Sequence, residues 1–247
     1  MKKIINWKTF FILLIACAVT SVLIIPYQVG LSPDLADMGA ILYLGAFVQG
    51  AVMFSIVILF GLILARKVGF SLPILEDENK LENLKAILKP SILWGFAGAI
   101  LLTPIALAFG KVSIELLASE LAVPLWAKFF AIFYGGIAEE VLMRLFVVSL
   151  IAWVLIKIKV PRNASIWVAI VLSAVLFGLG HLPFTSALTA ITADVVLRAI
   201  LLNGIIGIIF GVLYWKKGLE SAVIAHLSAG VVLRFVTPYV ASLFIYL

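Results

Sequence analysis

Five residues of this chain are of types that do chemistry, and they stand where such residues are costly. Glu139, Glu140 and Arg144 fall inside an apolar run from Leu125 to Ile156, and both histidines, His181 and His226, lie within or at the edge of other apolar runs. An ionisable side chain at the centre of a bilayer costs roughly 2.5–3.5 kcal/mol on insertion scales, so such residues mark a functional site by default. Glu140 and Arg144 are four residues apart, which puts them on one helix face where they can form an ion pair. Glu139 is turned about 100° from Glu140 on a regular helix and calls for a different partner. Hydrolysis of a peptide bond in lipid needs a held water, a base to deprotonate it and a donor for the oxyanion. A carboxylate and an imidazole can together take and return the proton, and a second imidazole or a metal ion can stabilise the negative charge. Each histidine taken alone is equally a hydrogen-bonded packing residue; the glutamate pair is what favours chemistry.

Composition fixes the elements that must position these groups. Hydrophobic residues make up 65% of the 247 and charged ones 12%, with a mean hydropathy of +1.27, well above the roughly 45–50% apolar of a soluble domain. The chain reads as an all-α, polytopic transmembrane bundle of seven to eight spans, since each span needs about 20 apolar residues. The expected spans are Phe10 to Ile25, ended by Pro26; Met38 to Ala65; Ser91 to Phe109, interrupted by Pro104; the Leu125 run; Ala164 to Leu182; a sixth from Asp194 and Arg198 to Trp215; and Leu219 to Phe235, with a short tail after Pro238. Leu81, Leu84 and Leu88 suggest an amphipathic surface helix in the polar 66–89 stretch. Residues 111–124, with Glu115 and Glu120, read as a polar linker. Residues 1–124 form the N-terminal part and 125–247 the chemical core of one integrated membrane domain.

Lys and Arg gather at the N-terminus, in 66–89, at 157–162 and at 216–217. If spans alternate, these stretches share one side, which the positive-inside rule makes cytoplasmic, with the N-terminus there too. The net charge of +6 then belongs to helix ends and lipid headgroups, and no nucleic-acid partner is expected. The single cysteine, Cys17, excludes an intramolecular disulfide. Counting about 1.5 Å per residue from the cytoplasmic ends puts His226 shallower than Glu140 or His181. The three meet if the Leu125 helix tilts or extends, or if the 216–218 turn is recessed.

At these residues the chain resembles the CPBP intramembrane proteases, also called the Abi or type II CAAX prenyl endopeptidase family. Glu139, Glu140 and Arg144 are similar to its first motif, Phe177 and His181 to its second, and His226 to its third, in the same order and over roughly 125–235. The third motif asks for Asn or Asp four residues after the histidine, where this chain has Gly230. The resemblance implies an intramembrane endopeptidase acting on a membrane-associated or lipidated peptide. Glu140 and His181 would activate the water, His226 would hold the oxyanion, and Glu139 and Arg144 would orient them. Phe177 would line the substrate site, and Asn203 or Ser228 would replace the missing polar residue. Two imidazoles and a carboxylate suit zinc by ligand type, with Glu140, His181 and His226 as the ligand set; a metal-free glutamate mechanism is the other course. Two further readings use the same residues: a membrane scaffold or immunity protein keeping the ionic core for stability, which Gly230 favours, and a solute carrier with a glutamate proton site. A prokaryotic plasma membrane is the expected location.

Overall fold

A computed structural model describes residues 5–243, apart from the side chains of Lys111, Glu115 and Ala118; Lys2 and Lys3 and the last four residues lie outside it. Among the described residues all regular structure is helical: α1 (Trp7–Leu23), α2 (Ile25–Leu31), a 3₁₀ turn at Pro33–Met38, α3 (Ala40–Val68), α4 (Pro73–Glu76), α5 (Lys80–Leu107), α6 (Lys111–Ala122) and α7 (Leu125–Phe133). Two wide π-helical stretches follow, Tyr134–Glu139 and Val141–Val148, then α8 (Ser149–Lys157), α9 (Arg162–Gly180), α10 (Leu182–Thr185), α11 (Ala193–Lys217), α12 (Leu219–Phe235) and α13 (Thr237–Ser242).

Among the described residues six helical stretches are long and apolar enough to cross a membrane, fewer than the seven or eight expected. The difference lies in two places. The Leu125 run is helical from end to end, but its π turns divide it into short pieces. The tail adds only the six residues of α13, with the remainder outside the described residues.

Other boundaries also move. Pro26 does not end the first span: it sits in the first turn of α2, where its missing N–H is not needed, and the helix goes on to Leu31. The 81–88 stretch is the first part of α5, continuous with the third span through Pro90 and Pro104, and not a separate surface helix. The 111–124 linker is mostly α6. In each case tertiary packing overrides a local stop or polarity signal.

The main apolar core among the described residues runs from Cys17 and Phe54 through Ala138, Val141 and Leu145 to Phe210, Tyr214 and Ala229. It packs α12 on α5, α11 on α9, α1 on α3, and the π stretches on α1, α3 and α12. The outer surface is apolar as well. Ile41, Leu44, Val48, Val52 and Ile56 form an exposed stripe down α3, which water would penalise and acyl chains would not. At one end of the bundle the indoles of Trp167 and Trp215 meet edge to face, Lys216 sits 3.6 Å from the centre of the Trp215 ring, and Lys67 and Lys157 flank Trp153. This aromatic and cationic layer has the composition of a membrane–water interface.

Candidate active site

The site forms where the π stretches, α9, α11 and α12 meet. Glu140 and Arg144 are both buried, and Arg144 Nη1 lies 3.0 Å from Glu140 Oε1, so the i, i+4 ion pair is present. Arg144 Nη2 also donates to the carbonyl of Gly207 at 3.0 Å, and its guanidinium lies between the Phe177 and Phe210 rings, 5.2 and 5.5 Å from their centres. Aromatic faces offset part of the cost of burying the cation.

The two glutamates meet the same imidazole. His226 Nδ1 lies 2.8 Å from Glu140 Oε1, and His226 Nε2 lies 3.8 Å from Glu139 Oε2. The expectation that Glu139 needs a different partner is corrected to a different nitrogen of one ring. The π turns are the reason: an i→i+5 turn holds more than 3.6 residues, so successive side chains diverge by less than 100°. Phe210 stacks on His226 with centroids 4.6 Å apart and planes at 24°, which fixes the ring against rotation. Gly135 makes this approach possible, because a Cβ there would lie 3.0 Å from His226 Nε2.

The carboxylates differ in surroundings. Glu139 is about one quarter exposed and lines a cavity of about 280 Å³, whereas Glu140 is fully buried behind His226 and does not line it. His181, His226, Phe177, Asn203 and Gly230 line the same cavity. His181 ends α9, and its Nδ1 is 2.7 Å from the carbonyl of Phe177, one turn back. A carbonyl only accepts, so Nδ1 carries the hydrogen, and in its neutral form the ring presents Nε2 as an acceptor. Asn203 Nδ2 donates to the Ala199 carbonyl at 2.9 Å, which leaves its second N–H for the cavity. Ser228 donates to the Ile224 carbonyl and faces α5 at Gly95, away from the cavity. A Cβ at Gly230, where the third motif asks for a polar side chain, would meet Ile132 Cγ2 at 3.1 Å, a close contact that the Ile132 side chain would have to ease by a few tenths of an ångström.

The depth mismatch is resolved by recession of α12. Leu219 is buried, its N–H donates to the Ser71 carbonyl, and Glu220 Oε1 accepts the N–H groups of Ile74 and Leu75 at 2.9 Å. The 69–76 segment therefore lies across the start of α12, which begins inside the protein.

The far end of the cavity carries charges that residue-by-residue motif reading passes over. Arg234 lies 3.5 Å from Glu120 and 4.2 Å from the centre of the Tyr27 ring, the Tyr27 hydroxyl donates to Glu120, and Arg198 Nε donates to Ser113 Oγ at 2.7 Å. Tyr27, Glu120, Arg198 and Arg234 all line the cavity. The signal for the two arginines was present, since both stand within apolar spans.

The expected zinc trio is Glu140, His181 and His226. Glu140 Oε1 is shared by Arg144 and His226, whereas the bond of His181 Nδ1 to a carbonyl leaves its Nε2 open. Among the described residues no three His, Cys, Asp or Glu side chains are grouped to hold a metal ion.

Residues 121–232 match the family described as Type II CAAX prenyl endopeptidase Rce1-like. The match takes in Glu139, Glu140, Arg144, His181 and His226 and leaves 1–120 and 233–247 outside it. No curated protein and no solved structure matches the chain.

Proposed function

We propose that the protein is an intramembrane endopeptidase in which Glu139, rather than Glu140, is the carboxylate that works on water. The observation that carries this reading is the bracketing of His226: one carboxylate behind it, buried and neutralised by Arg144, and one beside it, open to the cavity.

Glu139 Oε2 and His226 Nε2 are 3.8 Å apart, so one water at an ordinary hydrogen-bond distance of about 2.8 Å can touch both. Glu139 and His181, both acceptors toward the cavity, take the water's hydrogens. The oxygen attacks the carbonyl carbon of the scissile bond as one proton passes to Glu139. Glu139 then returns it to the departing amine as the C–N bond breaks. Glu140 is the partner of His226 Nδ1 and Glu139 lies 3.8 Å from Nε2; in the proposed reaction the ring carries an N–H on both nitrogens, and its Nε2–H and the free amide hydrogen of Asn203 serve as oxyanion donors. Glu140 and Arg144 are positioning residues, holding the His226 ring through Nδ1. No step passes through a metal ion. The substrates this reading calls for are membrane-associated or lipidated peptides in a multi-pass membrane protein.

The scaffold reading draws on Gly230, where the motif's polar side chain is missing and Ile132 stands close. Reconstitution separates the two. Proteoliposomes holding the wild-type chain should cleave peptides of a membrane extract, and Glu139→Gln should abolish that cleavage. A scaffold would cleave nothing in either form.

A further inference from the structure

We infer that the cavity opens on the non-cytoplasmic face of the membrane, so that the peptide cut there is an exported or outward-facing segment near its membrane anchor. The identification of the occupant as a peptide rests on the hydrolytic reading; the sidedness does not.

Every helix that lines the cavity does so from the same half. On α12 the lining begins at His226 and continues through Gly230 to Arg234, with nothing from the turns nearest Lys216 and Lys217. On α11 it comes from Arg198 to Phe210 and stops before Trp215; on α9 it starts at Phe177, far from Arg162; on the Leu125–Lys157 helix it ends at Glu139. The other half is closed by packed side chains. Phe70 and Tyr214 rings lie 4.6 Å apart, the Tyr214 and Ser149 hydroxyls are 2.9 Å apart, and Leu145, Tyr214 and Leu219 are buried.

The closed half carries the basic layer, with Arg66, Lys67, Lys157, Lys159, Arg162, Lys216 and Lys217. Short basic connections are held on the cytoplasmic side, so the closed end is cytoplasmic. The open end holds Lys111, Lys128, Arg198 and Arg234 against that bias; Lys128 is buried near the Tyr239 ring, and the two arginines do not project outward as interface residues do. They turn into the cavity beside Glu120, where a guanidinium is tolerated if the cavity is wet. Water for hydrolysis and the peptide chain then share one route, from the side opposite the basic layer. The released fragment leaves by the same route.

Impermeant thiol labelling tests this on the full chain. In a Cys17→Ser background, single cysteines are placed at Asp194, exposed at the start of α11; at Thr185 and Leu117, which line the cavity; and at Lys157, exposed in the basic layer. Intact cells are treated with a sulfonated maleimide, before and after permeabilisation. Labelling of Asp194→Cys and of Thr185→Cys or Leu117→Cys in intact cells, with Lys157→Cys reacting only after permeabilisation, is the expected result. The reverse pattern overturns the proposal. So does reaction at Asp194→Cys with both cavity positions silent before and after permeabilisation, since the cavity would then be shut to water. None of these readouts depends on cleavage, so they stand apart from the Glu139→Gln test.

Discussion

At the scale of single residues, a carboxylate facing a cavity and one facing a guanidinium respond differently to the same change. Glu139→Gln removes a base but breaks no buried pair, so the thermal midpoint in detergent should stay close to wild type while cleavage falls by about 10²–10⁴-fold. Glu140→Gln leaves the buried Arg144 without its anion. Breaking such a pair costs about 3–5 kcal/mol, which should appear as a large drop in that midpoint. Asn203→Ala should lower kcat by about 10²–10³-fold with little change in KM if its amide meets the oxyanion. The ion pair and both histidines were legible because intramembrane charge and i, i+4 spacing are visible in the sequence. The division of labour between the glutamates was not, since it depends on which side of the helix is packed and which is hollow.

The elements show why. A regular helix over 125–157 would send Glu139 and Glu140 to separate neighbours; the π turns let both approach His226. Hydropathy alone does not reveal a widened turn, although Gly135 and Gly136 at its start are a trace of it. Gly135→Ala would drive a methyl to 3.0 Å from His226 Nε2. It should slow cleavage while leaving Glu139 in place, and imidazole line shapes in NMR of the purified protein should report the displaced ring. Span positions were readable from apolar length, and α12 coincides with the expected Leu219 to Phe235. Pro26 and the 111–124 segment misled because a proline is harmless in a first helical turn and a moderately polar stretch folds as α6 against the bundle.

Over the whole molecule, three distant stretches converge because α12 starts inside the protein, beneath the 69–76 segment. Sequence counting left recession, tilt and extension open. The choice among them came from Glu220 and Leu219, which tie α12 to backbone groups of a loop about 145 residues away in the chain; such long-range pairing leaves no local pattern. The membrane architecture then gives a charged cavity in a hydrophobic bundle, with Glu139, His181 and His226 on its wall. The most direct test is a quantitative comparison of peptide termini in membranes from cells making the wild-type chain or Glu139→Gln at equal levels. New termini that are present with the wild type and lost with Glu139→Gln are the expected result. Identical termini in the two, with both proteins folded, would contradict a hydrolytic role for Glu139.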